Sequence, residues 1–282
     1  MVLRYIYGGR LSLEEHFMDQ SSNDPEPNIT KKINSTAILS VQKNLSIEKD
    51  FNIIVDGINY FIHKLLNKGI ECILVKRKVI EYFEKDHSLA HYFVGNCYVW
   101  GYGTIKNDKL AFEYYEKAAN KNCTMSQLEI GYRYEYKIGT NEDLKMAFYW
   151  YEKAAKNGNI VAMHNLGHYY KNGKGVEKDN NKAFELFKQS AEGGCTNGII
   201  MLGICYDEGI GTTIDKQRAF ELYQNAANLG NKLAQNNLAL MYENGDGITK
   251  DIDKAIYWYE KSAKQGHEQA RDSLRKLQNN NL

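Results

Sequence analysis

One pattern of 36 residues runs five times through this chain without insertion, and that constrains the fold more than any other property of the sequence. In the third copy the anchors are Ala162, Leu166, Gly167, Tyr170, Gly173, Gly175, Asp179, Ala183, Phe187, Ala191 and Gly194. Moving forward 36 places gives Gly198, Leu202, Gly203, Tyr206, Gly209, Gly211, Asp215, Ala219, Tyr223, Ala227 and Gly230, and a further step runs from Ala234 to Gly266. Stepping backwards finds Ile130, Gly131, Tyr134 and Gly139, then Val94, Gly95, Tyr98, Gly101 and Gly103. A period of this length predicts a stacked array in which each unit touches its neighbours, rather than a globule around one pocket. The copies span 87–122, 123–158, 159–194, 195–230 and 231–266.

Within a copy, Ala162, Leu166 and Tyr170 recur every four residues, and Ala183, Leu186, Phe187, Ser190 and Ala191 recur at three and four. Each set makes one apolar helical face, so each copy is a helical hairpin and the fold class is all-α, an α/α solenoid. Gly173 and Gly175 fall between the faces, where the chain leaves the first helix through backbone angles that side chains resist. Asp179 is placed to accept from the free N–H groups of the second helix. Gly167 and the pair Ser190/Ala191 let helices approach closely, while Tyr170 and Phe187 fill the space beside them.

These anchors resemble the Sel-one-like repeat, a relative of the tetratricopeptide repeat that reads A-x-x-x-L-G-x-x-Y-x-x-G-x-G-V-x-x-D-x-x-K-A-x-x-W/Y-Y-x-K-A-A-x-x-G. The likeness covers roughly Ser88 to Gly266 in one register. It implies a right-handed superhelical adaptor module that holds other proteins and carries no chemistry of its own.

Three departures from the pattern carry expectations. Lys137 replaces the first turn glycine of copy two, where a left-handed backbone costs a non-glycine residue roughly 1 kcal/mol or more, so a distorted turn is expected. Asn122 replaces the closing glycine of copy one and tolerates the same backbone region. Gly198 stands where other copies have a helix-starting Ala and is expected to weaken copy four by roughly 0.5 to 1 kcal/mol.

Residues 267–282 repeat only the opening of a copy, with Ala270 and Leu274 on the apolar face, and read as a capping helix and tail. Residues 45–86 contain two helical stretches, Phe51 to Leu66 and Val75 to Phe83, expected to cap the other end. Both prolines, Pro25 and Pro27, lie in 20–44, a Ser/Asn/Thr/Lys-rich piece without period that reads as a flexible linker. Residues 2–15 read VLRYIYGGRLSLEE and resemble one short segment of BTB domains, the adaptors of cullin-type ubiquitin ligases. By that resemblance 1–19 is a BTB-like remnant, in the manner of large fungal families that join Sel-one-like repeats to BTB or kinase domains.

Composition narrows the function classes. With 36 basic against 35 acidic side chains, alternating in sign on exposed faces, the chain lacks the clustered charge that a phosphate backbone requires, so nucleic acid is not an expected partner. No apolar stretch approaches bilayer length and the start lacks a secretory layout, which places the expected locale in the cytoplasm. The tail Asn279 to Leu282 has no cysteine for prenylation. Cys72, Cys97, Cys123, Cys195 and Cys205 sit at irregular places in the repeat and read as reduced, packed thiols.

Candidate chemistry is sparse. His87 with His91, and His164 with His168, are spaced i, i+4, but neither pair has the third ligand that zinc needs, so no metal or other cofactor is expected and the rings read as facing solvent or a partner. The Gly-x-Gly steps follow helices rather than strands and lack the rest of a phosphate-binding fingerprint. No nucleophile, base or kinase set stands out, so the chain is not expected to be an enzyme.

What remains is the other side of the first helices, which by similarity to tetratricopeptide arrays lines a concave groove. The same offsets across copies give Tyr92, Asn96 and Trp100; Leu128, Tyr132 and Tyr136; His164, His168 and Asn172; Ile204 and Glu208; and Asn236 and Leu240. This expected groove is aromatic in its N-terminal half and acidic toward its C-terminal half, which suits a peptide or partner helix. The expected function is a non-catalytic scaffold for a partner protein whose identity the sequence leaves open, as it does the oligomeric state. The BTB-like start gives the alternative of a cullin-type ubiquitin-ligase adaptor or the regulatory part of a kinase signalling family.

Overall fold

The computed structural model describes residues 4–6, 10–12, 87–101 and 104–280. The expected linker 20–44 and the expected helices of 45–86 lie outside them. The chain divides into two units, Met1–Ser46 and Ile47–Leu282. In the first, β1 (Arg4–Ile6) pairs antiparallel with β2 (Arg10–Ser12), Tyr5 opposite Leu11.

The second unit is helical throughout its described residues. Its order is α1 (His87–Trp100), α2 (Asp108–Asn120), α3 (Thr124–Glu135), α4 (Leu144–Lys156), α5 (Ile160–Asn172), α6 (Asn180–Glu192), α7 (Thr196–Glu208), α8 (Lys216–Asn228), α9 (Lys232–Asn244), α10 (Ile252–Lys264) and α11 (Glu268–Asn280). Each helix packs on the next, which makes five hairpins in sequence and leaves α11 on α10 with Ala270 buried.

The second helix of every hairpin starts on a side-chain cap. Asn107, Asp143, Asp179, Asp215 and Asp251 accept from backbone N–H groups two or three residues ahead, each at 3.0 Å. Those amides hold the Asp179 and Asp251 carboxyls below the usual carboxylate range.

Two contacts join consecutive hairpins. Phe112, Phe148, Phe184 and Phe220 meet Tyr134, Tyr170, Tyr206 and Tyr242 of the following hairpin edge to face, with ring centroids 5.2 to 5.5 Å apart. Such a pair stabilises by about 0.5–1.5 kcal/mol beyond its buried area. The second contact is backbone on backbone. A Cβ on Gly139, Gly175, Gly211 or Gly247 would come within 2.1 to 2.4 Å of the first carbonyl oxygen of the preceding second helix, Asp108, Leu144, Asn180 or Lys216. These glycines also have φ between +64° and +72°, so only glycine satisfies both the turn and the approach.

Two sequence expectations are overturned here. The turn at Lys137 is not distorted: its φ is +57°, and the bonds Ile138 N to Arg133 O at 3.0 Å and Asp143 N to Tyr134 O at 3.1 Å reproduce those of the glycine-bearing turn in copy three. The Gly139 contact and the Phe112–Tyr134 pair hold the turn, and the lysine backbone carries the strain. Nor is Gly198 a weak substitute for Ala. A Cβ there would lie 2.5 Å from Ser190 Oγ and 2.8 Å from Ala191 N, so the helices of this step approach too closely for a methyl group. Asn122, with φ +63°, takes the left-handed conformation as expected.

The cysteines are more regular than their sequence distribution indicated. Cys97 and Cys205 occupy one repeat position and are buried, which pushes both thiols up to about 11; Cys123 and Cys195 occupy another, as the residues before α3 and α7. All four are free.

Candidate functional site

Each second helix places one ring against the first helix of its own hairpin: Tyr115, Tyr151, Phe187, Tyr223 and Tyr259, all fully buried. The first helix admits the ring through a small residue. A Cβ on Gly95, Gly131, Gly167 or Gly203 would sit 2.6 to 2.7 Å from the ring, and Ala239 takes that place in the last copy. The ring passes beneath the helix and its hydroxyl emerges near the far side.

There the hydroxyl fixes a polar group. Tyr115 donates to Asn96 Oδ1 at 3.0 Å, Tyr151 to Glu135 Oε2 at 2.9 Å, and Tyr259 to Glu243 Oε2 at 2.7 Å. Asp207 and Asn237 lie beside the Tyr223 hydroxyl. Burial and these carboxylates push Tyr151, Tyr223 and Tyr259 up, so the phenols stay protonated as donors.

Copy three differs. Phe187 has no hydroxyl, and His164 and His168 pack against its ring with centroids 5.9 and 5.2 Å away, themselves 4.7 Å apart. Burial, and then the charge of His168 acting on His164 and that of Lys171 and Lys174 acting on His168, lowers both to about 4, so both rings are neutral at physiological pH. His164 Nδ1 is sealed from solvent with no hydrogen-bond partner. This corrects the reading of these histidines as outward-facing: they are half-buried packing groups. Among the described residues no cluster of three or more metal-ligating side chains exists.

The remaining predicted groove residues fall into two sets. Tyr92, Leu128 and Asn236, which share one repeat position, are buried and cannot meet a partner's surface. The offset is correct for the first helix, but that flank is covered by neighbouring helices. Asn96 is half-buried and held by Tyr115. One turn further along, an exposed strip remains at the C-terminal ends of α1, α3, α5, α7 and α9. It contains Trp100 at 55% exposure, Tyr136 at 56% and Tyr132 at 36%, then Asn172, Glu208 and the half-exposed Leu240, with Ile204 partly covered between. Tyr132 and Tyr136 pack ring to ring at 4.5 Å.

Spacing found Glu208 on this strip, but sequence reasoning missed Lys174, Lys216 and Asp246, which set its charge. Lys174 bonds Glu135 at 3.3 Å, so the carboxylate beside Tyr136 is neutralised within the chain. Lys216 likewise bridges Asp207. Glu208 and Asp246 carry no bridging cation among the described residues.

Sequence and structure comparisons place this architecture. The family model described as "Sel1 repeat" matches residues 88–123, 124–159, 160–195, 197–231 and 232–267, within two residues of the expected copies. No curated protein matches the chain. Among solved structures, a Sel1 repeat protein from Oxalobacter formigenes is 29% identical, with a TM-score of 0.68 over 79% of this chain and 86% of that one. A protective antigen of uropathogenic Escherichia coli displaying an SLR fold is 27% identical, with a TM-score of 0.66 over 86% of this chain. This chain spans 51% of that antigen's length.

Proposed function

The chain belongs to the Sel1 repeat family, and from that premise we propose that it is a non-catalytic scaffold that holds a segment of a partner protein along the exposed strip of its first helices. Sel1 repeat proteins generally act as protein-interaction scaffolds. The single observation that carries the reading is the exposure of Trp100 and of Tyr136, which packs on the half-exposed Tyr132 ring, at the ends of α1 and α3 where the neighbouring positions are packed. Large exposed rings held by rigid helices lose little conformational entropy on binding and supply most of an interface's energy. The buried groups fit a structural role, since the thiols of Cys97 and Cys205 are raised and inert, and the phenols serve as hydrogen-bond donors. Four free cysteines suit a reducing compartment such as the cytosol. The ubiquitin-ligase and kinase-signalling alternatives draw on the resemblance of residues 1–19 alone.

Affinity capture with the full chain, comparing wild type with a Trp100→Ala/Tyr132→Ala variant of unchanged circular dichroism, tests this reading. Loss of a specific partner by the variant supports it; equal recovery of every partner by both forms contradicts it.

A further inference from the structure

Away from the strip, exposed rings on this protein are covered by cations of their own chain. Lys153 Nζ lies 4.7 Å from the Tyr149 ring centroid, and Lys261 Nζ lies 4.6 Å from that of Tyr257; these are the two exposed tyrosines of α4 and α10. Lys182, Arg218 and Lys254 sit over Tyr170, Tyr206 and Tyr242 at 5.1 to 5.3 Å. On the strip, no cation of the described residues lies over Trp100, Tyr132 or Tyr136, although Trp100 and Tyr136 are more exposed than either covered tyrosine. An exposed aromatic face attracts an ammonium or guanidinium group through its quadrupole, and here no cation of the described residues takes that position.

The charge along the same strip has the matching sign. Toward copies four and five it presents Asp207, Glu208, Glu243 and Asp246, of which Asp207 is bridged to Lys216. Lys171 stands in the middle, and Lys174 is taken up by Glu135. Glu208 and Asp246 share the one Lys216 ammonium with Asp207 and form no ion pair of their own among the described residues, so this end keeps an excess of negative charge that positive charge from outside would meet.

Resting on the scaffold reading above, we infer that the partner segment is cationic: an extended or helical polypeptide whose Lys or Arg side chains lie over Trp100 and the Tyr132/Tyr136 pair and pair with Glu208 and Asp246 toward the other end. A preformed array of uncovered rings and unbridged carboxylates selects such a segment over an acidic one, because like charges meeting at the Glu208 end are repelled.

The probe is a library of random 12-residue peptides displayed on phage and selected on the full chain, with the recovered peptides measured by fluorescence anisotropy. The expected result is enrichment in Lys and Arg, an affinity that weakens with added salt, and a loss of tenfold or more for both Trp100→Ala/Tyr136→Ala and Glu208→Lys/Asp246→Lys. Tyr149→Ala, on a ring already covered by Lys153, is expected to change nothing. Recovered peptides that are neutral or acidic yet still lost by Trp100→Ala/Tyr136→Ala would overturn the cationic partner and leave the strip as the binding site. Peptides indifferent to every strip substitution, or no selected peptide, would overturn both. All four residues are surface groups, and circular dichroism of each variant confirms the fold.

Discussion

The junction between hairpins one and two and the junction between hairpins three and four share a frame and differ in their filling. Both carry the edge-to-face Phe–Tyr pair, Phe112 with Tyr134 and Phe184 with Tyr206, and both seat a left-handed glycine, Gly139 or Gly211, on the opening carbonyl of the preceding second helix. Between these contacts, the first junction buries Arg133 at 4% exposure. Its guanidinium lies 5.0 Å from the Tyr115 ring centroid and 3.5 Å from Asp108, with Glu129 one helical turn away. The equivalent space at the other junction holds Cys205 and Met201 against Phe187. The frame, not the filling, sets how hairpins stack, so copies can diverge inside a junction while the array keeps its pitch.

Substituting the frame should break both junctions alike and cost most. Gly211→Ala places a methyl group within 2.1 Å of Asn180 O at φ +67°, and should destabilise the array by about 3 kcal/mol or more; Gly139→Ala, 2.1 Å from Asp108 O, should cost as much in chemical denaturation. A large difference between the two would show that filling contributes to stacking after all.

Substituting the filling should separate the junctions. Arg133→Ala removes the cation that opposes the burial-driven rise of the Glu129 carboxyl, and should cost about 2–4 kcal/mol near neutral pH. The loss should shrink as pH falls through the carboxylate range, because protonated Glu129 no longer needs a counter-charge. Cys205→Ala at the apolar junction should cost about 1 kcal/mol, without that pH dependence.

Beside the apolar junction, the histidine pair gives the opposite dependence on its own terms. With His164 and His168 lowered to about 4 in the fold, the unfolded chain binds protons below about 6.5 that the folded chain refuses. Stability should therefore fall as pH drops from about 6.5 toward 4, and His164→Leu/His168→Leu should flatten that slope in thermal melts. The smallest effect is Lys137→Gly, which relieves a left-handed lysine in a turn the frame already fixes and should stabilise by about 1 kcal/mol.

The frame was legible in the sequence because it depends on spacing. Gly173, Gly175 and Asp179 each announce one backbone requirement, and the 36-residue register carries it to every copy. The candidate surface was legible only in part. Helical periodicity separates the Ala162/Leu166 face from the opposite one, but the large rings of the second helices reach past that division: Tyr115 packs on Tyr92 of its own hairpin and under Arg133 of the next, and Leu128 and Asn236 are buried as well. An arginine at the position held by Cys97, Cys205 and Met241 gives no sign of burial by its residue type. Lys137 and Gly198 depart from expectation for the same reason: packing from the adjacent hairpin overrules local propensity.

Amide hydrogen exchange of the full chain, free and with its captured polypeptide partner, tests the central claim most directly. The account predicts added protection in the last turns of α1, α3, α5, α7 and α9, where Trp100, Tyr136 and Glu208 lie, with α4 and α10 unchanged. Protection confined to the Tyr149 and Tyr257 faces of α4 and α10, or absent from every first helix, would contradict it.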